Sequence, residues 1–132
     1  MTYVWVAIGS ALGGVARFWL AGFVVSLVGA AFPWGTLLIN VSGSFVIGIF
    51  AAATGADGRF SVPADMRIFV MVGLCGGFTT FSSFSLQTLE LAQAGEMMRA
   101  GAYVASSVIL CLAFVWLGAI CAGAINGAII RN

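Results

Sequence analysis

The sequence predicts an all-α integral membrane protein with four transmembrane helices, the third of which is broken. Of its 132 residues, 62% are hydrophobic and 7% are charged, whereas soluble domains carry about 25% charged residues. The apolar residues form four runs, and each is long enough for the ~20 helical residues that cross a bilayer. No soluble segment of domain size lies between them, so residues 1–132 are predicted to form a single transmembrane domain.

The four helices are predicted at about residues 3–30, 36–53, 66–91 and 100–130. The first of them carries two features that predict contacts inside the membrane. Gly9 and Gly13 form a small-xxx-small pair, which allows another helix to approach closely. Arg17 follows one turn later, and an arginine at this depth is by default a functional candidate. The alternative is an arginine that reaches the far interface or binds helix carbonyls.

The second and the fourth helix each carry polar residues along one face. Thr36, Asn40 and Ser44 are spaced i, i+4, i+8, which places them on the same side of a helix. A buried amide costs several kcal/mol unless it finds hydrogen-bond partners. Asn40 therefore belongs either to a helix–helix contact or to a functional site. Tyr103 and Ser107 repeat the i, i+4 spacing on the fourth helix.

The stretch 73–85 interrupts the third helix and is the most informative part of the sequence. The adjacent Gly76 and Gly77 are poor helix formers that expose backbone carbonyls. Because hydrocarbon satisfies no backbone polar group, a broken helix at this depth must lie inside protein or beside water or an ion. Phe81 and Phe84 follow at i, i+3, interleaved with hydroxyl residues that a lipid-facing stripe would lack. The stretch therefore predicts a protein-lined permeation path.

The ionisable residues exclude several function classes. There is no histidine, and all four acids lie at segment ends, so no pair of residues is suited to acid–base catalysis and no enzyme is expected. A net charge of +1 does not favour nucleic acid as a partner. Neutral donors and one deep arginine suit a small anion, since phenyl edges are positive and attract it without trapping it. The candidate donors are Thr36, Asn40, Thr79, Thr80, Ser82, Ser83, Tyr103, Ser106 and Ser107.

The boundary arginines predict no strong preference for one orientation in the membrane. Arg59, Arg67 and Arg131 fall on one side of a four-helix topology, and Arg99 falls on the other. Orientation follows the arginine and lysine bias of short loops, which is weak here. We therefore expect the chain to insert in both orientations and to dimerise antiparallel.

Three motifs resemble the small bacterial fluoride channels of the Fluc, or CrcB, family. They are Gly13-Gly14-Val15-Ala16-Arg17, the stretch from Gly35 to Phe45, and the stretch from Gly73 to Ser85. The resemblance implies passive export of fluoride from the cytoplasm, which lowers fluoride toxicity. It also implies a dual-topology antiparallel homodimer with two pores, embedded in the bilayer of the bacterial cytoplasmic (inner) membrane.

The same resemblance assigns residues to an anion pathway. Asn40 matches the pore asparagine of the family, and Phe81 and Phe84 match its pore phenylalanines. Arg17 matches the basic residue near the aqueous vestibule, while a hydroxyl track on the fourth helix includes Tyr103. The pathway expected from these matches and from the neutral donors comprises Arg17, Thr36, Asn40, Thr80, Phe81, Ser82, Phe84, Tyr103 and Ser107.

A structural sodium ion is also implied. Gly76 and Thr79 match positions whose backbone carbonyls hold a central Na⁺ in the family. Gln87 departs from the family, which usually has glutamate there. Two other functions compete with the channel. A small four-helix multidrug exporter would need an acid buried within a helix, and a structural membrane subunit would leave the hydroxyls and Arg17 without a role.

Overall fold

The computed structural model describes residues 1–56, 58 and 60–128, with side chains as far as residue 124, and these residues are helical apart from short connections. The helices are α1 (Thr2–Val28), α2 (Trp34–Ala53), α3 (Ala64–Ile68), α4 (Gly76–Phe78), α5 (Phe81–Gln93) and α6 (Met97–Ala128). A π-helical segment, Phe69–Cys75, joins α3 to α4. Four spans are long and apolar enough to cross a membrane, namely α1, α2, the third span Ala64–Gln93, and α6.

The spans begin and end within about one turn of the predicted positions. Helix α6, which corresponds to the predicted fourth transmembrane helix, starts at Met97 and not near residue 100, because a tight turn precedes it. Gly95 adopts a positive φ of 80°, and Glu96 N donates to Leu91 O at 2.9 Å, which is the pattern that ends helices at glycine. The predicted end of this helix at residue 130 lies outside the described residues, as do Arg59 and Arg131.

Glycines bring α1 into close contact with the third span, as the spacing of Gly9 and Gly13 predicts. A Cβ added at Gly9 would lie 2.7 Å from Phe69 O, and one at Gly13 would lie 2.7 Å from Phe78 N. On the facing side, a Cβ at Gly77 would lie 2.6 Å from Ser10 O. Only glycine allows these backbones to approach so closely, which is the small-residue contact common between membrane helices.

The second close pair is formed by α2 and α6. A Cβ at Gly48 would lie 3.0 Å from Val115 C, and one at Gly118 would lie 2.9 Å from Ile49 N. A Cβ added at Gly123 on α6 would meet no atom within 4 Å among the described residues. That glycine is therefore available to lipid or to another subunit.

A buried cluster lies where α2, α5 and α6 meet. Its members are Leu37, Val41, Phe84 and Tyr103, with Phe32, Leu91 and Cys111 packed around them. The rings of Phe84 and Tyr103 are 5.1 Å apart, and Tyr103 also meets Phe32 edge-on at 5.5 Å. This cluster holds α5 against the α2–α6 pair.

An arginine ties the start of the third span to the end of α2. The Arg67 guanidinium donates to the backbone carbonyl of Thr54 and, at 2.8 Å, to the Thr54 hydroxyl. Carbonyls at a helix C-terminus have no partner within the helix, so a cation there is stabilising.

Candidate functional site

The helical geometry of the third span is interrupted at two threonines. Thr79 has φ −79° and ψ 158°, and Thr80 has φ −152° and ψ 116°, which are extended conformations. Gly76, where the sequence places the interruption, keeps helical angles of −64° and −36°. Gly77 instead lies where α1 approaches closely, with a Cβ added there 2.6 Å from Ser10 O, whereas Gly76 makes no such contact. The residues that follow the two glycines leave the helix.

Asn40 on α2 binds the backbone of Thr80 at two points. Its Nδ2 donates to Thr80 O at 3.0 Å, and its Oδ1 accepts from Thr80 N at 2.8 Å. The side-chain amide thus pairs with Thr80 as a neighbouring strand would. This pairing satisfies the polar groups of Thr80, which bilayer hydrocarbon cannot do.

Two backbone carbonyls consequently lose the donors that a continuous helix would provide. In an α-helix, Thr80 N would donate to Gly76 O, and Ser83 N would donate to Thr79 O. Here the first amide donates to Asn40, and the second donates to the Thr80 hydroxyl at 3.2 Å. Carbonyl oxygens of unwound membrane helices are suitable ligands for Na⁺, so Gly76 and Thr79 fit a cation site.

The Thr80 hydroxyl caps α5 and gathers two serines around it. Besides accepting from Ser83 N, it lies 3.0 Å from the Ser83 hydroxyl and 3.3 Å from that of Ser82. A threonine at the N-cap satisfies one of the free amides of the first turn. Thr80 is buried, whereas Ser82 is exposed on the subunit surface.

The two phenylalanines differ strongly in exposure although their rings are in contact. Their centroids are 5.3 Å apart with an angle of 48° between the planes. Phe84 is 8% exposed, and Phe81 is 77% exposed. One ring therefore belongs to the buried cluster of the subunit, and the other projects from it.

Tyr103 is fully buried, and its hydroxyl proton is already bound. The hydroxyl donates to Gln87 Oε1 at 3.0 Å, so in this arrangement it has no proton left for an anion. Thr36 is also buried and lies beside Tyr103. Tyr103 packs against the ring of Phe84, with centroids 5.1 Å apart. Ser107, one turn after Tyr103, is buried and has a hydroxyl without a hydrogen-bond partner among the described residues.

An open groove of about 420 Å³ brings most of the predicted residues together. No side chain on its wall carries a formal charge, so dipoles, hydroxyls and ring edges are its only polar features. The predicted residues on the wall are Asn40, Gly76, Thr79, Thr80, Phe81, Phe84 and Ser107.

Other residues fall outside this set or were not predicted to belong to it. Arg17 lies half-buried on α1 away from the groove wall, and it makes no hydrogen bond or ion pair within the described part of the chain. The wall also includes Ser44, whose i+4 spacing from Asn40 signals it, and Cys75 and Cys111. Cys75 lies inside the stretch 73–85 that the sequence singles out, whereas nothing in the sequence distinguishes Cys111 from other apolar positions.

Comparison with known proteins identifies the family. The family model described as CrcB-like protein, Camphor Resistance (CrcB), matches residues 4–119. The chain belongs to the CrcB family. It is 65% identical over 126 residues to a protein of Methylocella silvestris named "Fluoride-specific ion channel FluC", covering 96% of each chain.

Further relatives carry the same name. The chain is 59% identical to a CrcB-family protein of Rhodospirillum rubrum over 126 residues, covering 96% of this chain and 98% of that one. It is 56% identical to one of Opitutus terrae over 124 residues, covering 94% of each. Both are named "Fluoride-specific ion channel FluC". With four apolar spans, this CrcB-family chain is a multi-pass membrane protein.

Proposed function

We propose that this protein is a passive, fluoride-selective channel that exports fluoride from the cytoplasm and thereby lowers its toxicity. The observation that carries the proposal is the uncharged groove, in which Phe81 and Phe84 lie beside Asn40, Thr80 and a Ser107 hydroxyl that has no hydrogen-bond partner in the described part of the chain. The names of relatives up to 65% identical support it.

The groove has the polarity that fluoride conduction needs. Fluoride holds its water strongly, so donors must replace the hydration shell as the ion enters. A fixed positive charge would bind it too tightly to release it, whereas ring edges and hydroxyls attract it weakly at several points. The Ser107 hydroxyl is free to donate, and Asn40 keeps one amide proton beyond its bond to Thr80. Ser82 and Thr80 extend this line of hydroxyls along the start of α5.

The groove is open in the single subunit, and we propose that a second copy in the opposite orientation closes it. Phe81 is 77% exposed and Gly76 is also exposed, although both lie on the groove wall. An antiparallel partner would cover them and give each dimer two equivalent pathways. The weak bias of the boundary arginines agrees with a chain that inserts both ways.

The antiparallel dimer would also complete a structural sodium site. Gly76 O and Thr79 O lack their helical donors in each subunit. Two subunits related by a twofold axis would bring four such oxygens together, and a hard cation is stabilised by oxygen ligands of this kind. The ion would hold the two interrupted spans in register.

The remaining predicted residues have supporting roles in this proposal. Arg17, half-buried and without a partner among the described residues, would draw the anion toward the pathway from water. Tyr103 would hold Phe84 in place, with its hydroxyl fixed on Gln87, and Thr36 would pack beside Tyr103. We place the dimer in the bacterial cytoplasmic membrane, because export requires it there.

Fluoride efflux from proteoliposomes tests the proposal. Liposomes loaded with fluoride and containing the purified protein should release it faster than empty liposomes, and chloride-loaded liposomes should not empty. A folded dimer that releases no fluoride would contradict the channel. A Gln87→Glu variant run in parallel shows whether the glutamine alone is responsible for a lack of flux.

The two competing functions predict other results. A multidrug exporter would bind cationic dyes and would need a buried acid, but Asp65, Glu90 and Glu96 are all exposed at helix ends. A structural subunit would fold and release no fluoride, and its Gln87→Glu variant would release none either.

A further inference from the structure

Asn40 holds the Thr80 amide away from the helix that Gly76 belongs to. The two hydrogen bonds between Asn40 and Thr80 measure 2.8 and 3.0 Å, within the normal range for strong amide bonds. They occupy the one backbone donor that could close the helix onto Gly76 O. The exposed carbonyl of Gly76 is therefore a consequence of a side chain on a different span.

From this geometry we infer that Asn40 is a positioning residue for the cation site, so that cation binding and anion conduction depend on the same side chain. The inference rests on the proposed sodium site and extends it. Asn40 lies on the groove wall with one amide proton free for an anion. Its other amide proton and its Oδ1 bind the Thr80 backbone and keep that residue out of the helix. A single residue thus links the two sites.

Removing the amide changes the backbone in a defined direction. Without Asn40, the Thr80 amide is left without a partner in a region where hydrocarbon offers none. An unsatisfied buried donor is costly, and the nearest helical acceptor is Gly76 O. The helix then closes by one hydrogen bond, and the Gly76 carbonyl turns from a cation ligand into a helix acceptor.

Gly43 makes the contact possible. It lies on α2 one turn after Asn40, and a Cβ added there would lie 3.2 Å from the Phe78 ring and would overlap the Thr79 side chain. The absent side chain lets α2 approach the third span until Asn40 reaches Thr80. Gly43→Ala is therefore expected to act like a partial loss of Asn40.

Sodium binding to the purified dimer tests the inference without reference to flux. We expect Asn40→Leu, which keeps the volume and removes both hydrogen bonds, to bind radioactive sodium about tenfold or more weakly than the parent. The reason is that the Gly76 carbonyl is lost in each subunit, and hydrogen bonds to charged groups are among the strong ones. The thermal stability of Asn40→Leu should also lose its dependence on NaCl when N-methylglucamine chloride is the reference. Ser44→Ala is the matched control, because Ser44 lines the same groove on the same helix but donates only to Asn40 O of its own helix at 2.7 Å. That variant should bind sodium as the parent does.

A second variant separates the two bonds that Asn40 makes. Asn40→Asp keeps an acceptor for Thr80 N and loses the donor to Thr80 O, so the Gly76 carbonyl should stay exposed and sodium binding should persist. Asn40→Ser, whose side chain is too short to span the gap, replaces the leucine variant if that one does not assemble.

The outcomes are distinct for the inference and for the channel. Parent-like sodium affinity in a folded Asn40→Leu or Asn40→Ser dimer would overturn the inference, as would equal loss of binding in Asn40→Asp. A parent that conducts fluoride but binds no sodium would overturn it as well and leave the channel standing. A parent that binds sodium but conducts nothing would contradict the channel, and the binding series would still decide the role of Asn40.

Discussion

Replacing each pathway phenylalanine by isoleucine should separate conduction from stability. Phe84 contacts the rings of both Phe81 and Tyr103, at 5.3 and 5.1 Å, and each aromatic pair contributes about 0.5–1.5 kcal/mol. Phe84→Ile removes two such pairs and should destabilise the subunit by about 1–3 kcal/mol. Phe81→Ile removes only one, from a ring that is 77% exposed, so its cost should be near the lower end of this range.

Both substitutions should reduce fluoride flux to a similar extent, because each removes a positive ring edge from the groove. We expect a drop of about tenfold or more, which corresponds to about 1.4 kcal/mol in the conduction barrier. The measurement is the initial efflux rate from liposomes at equal protein density, with dimer assembly checked by size exclusion and stability by thermal denaturation in detergent.

Phe114→Ile is the matched control for the loss of an aromatic pair. The Phe114 ring meets Phe45 at 6.2 Å and is not on the groove wall. This variant should lose some stability and keep the parent flux. If Phe81→Ile and Phe84→Ile both conduct at the rate of an active parent, the rings only fill space and the assigned pathway is wrong.

Three further predictions address the contacts between spans and the topology. Gly13→Ala should destabilise the subunit by about 1–3 kcal/mol in thermal denaturation, as overpacking does, because its methyl group would lie 2.7 Å from Phe78 N. Its control is Gly123→Ala, whose methyl group would meet no described atom within 4 Å and which should stay within about 0.5 kcal/mol of the parent. Equal effects of the two substitutions would refute the contact assigned to Gly13. Arg67→Leu should reduce the free energy of unfolding by about 1–3 kcal/mol, and so lower the melting temperature, because it frees the carbonyl of Thr54 at the end of α2. Arg67→Lys should recover part of the loss, and an unchanged melting temperature in Arg67→Leu would show that the cap adds nothing. Reporter fusions at the C-terminus should be active on both sides of the membrane, and activity in one compartment alone would exclude dual topology.

The four spans and the closest contact between two of them could be predicted from the sequence. Long apolar runs with charges only at their ends determine where helices cross a bilayer, and α1, α2 and α6 lie close to the predicted positions. The Gly9–Gly13 pair predicts a close neighbour because only small residues let two backbones meet. That neighbour is the third span, but the glycine spacing alone does not indicate which helix it is.

The position of the helical interruption required a partner from elsewhere in the chain. Local propensity points to Gly76 and Gly77 because glycine is a poor helix former. Both glycines are helical here, and Gly77 lies where α1 approaches closely, with a Cβ added there 2.6 Å from Ser10 O. The extended residues are Thr79 and Thr80, since Asn40, 40 residues earlier than Thr80, supplies the hydrogen bonds that compensate for leaving the helix.

The exposure of side chains at the candidate site, and which of their hydroxyls remain free to donate a hydrogen bond, also depend on tertiary contacts. The i, i+3 spacing places Phe81 and Phe84 near each other but does not decide that Phe84 is buried against Tyr103 while Phe81 projects outward. The sequence likewise suggests that the Tyr103 hydroxyl is a donor, but Gln87 on α5 already accepts its proton. Sequence alone determined which polar and aromatic groups lie within the membrane, because helical periodicity and hydropathy act locally. Tertiary structure decided which of these groups remain free to meet an ion, because a hydrogen bond between spans joins residues that are distant in the chain.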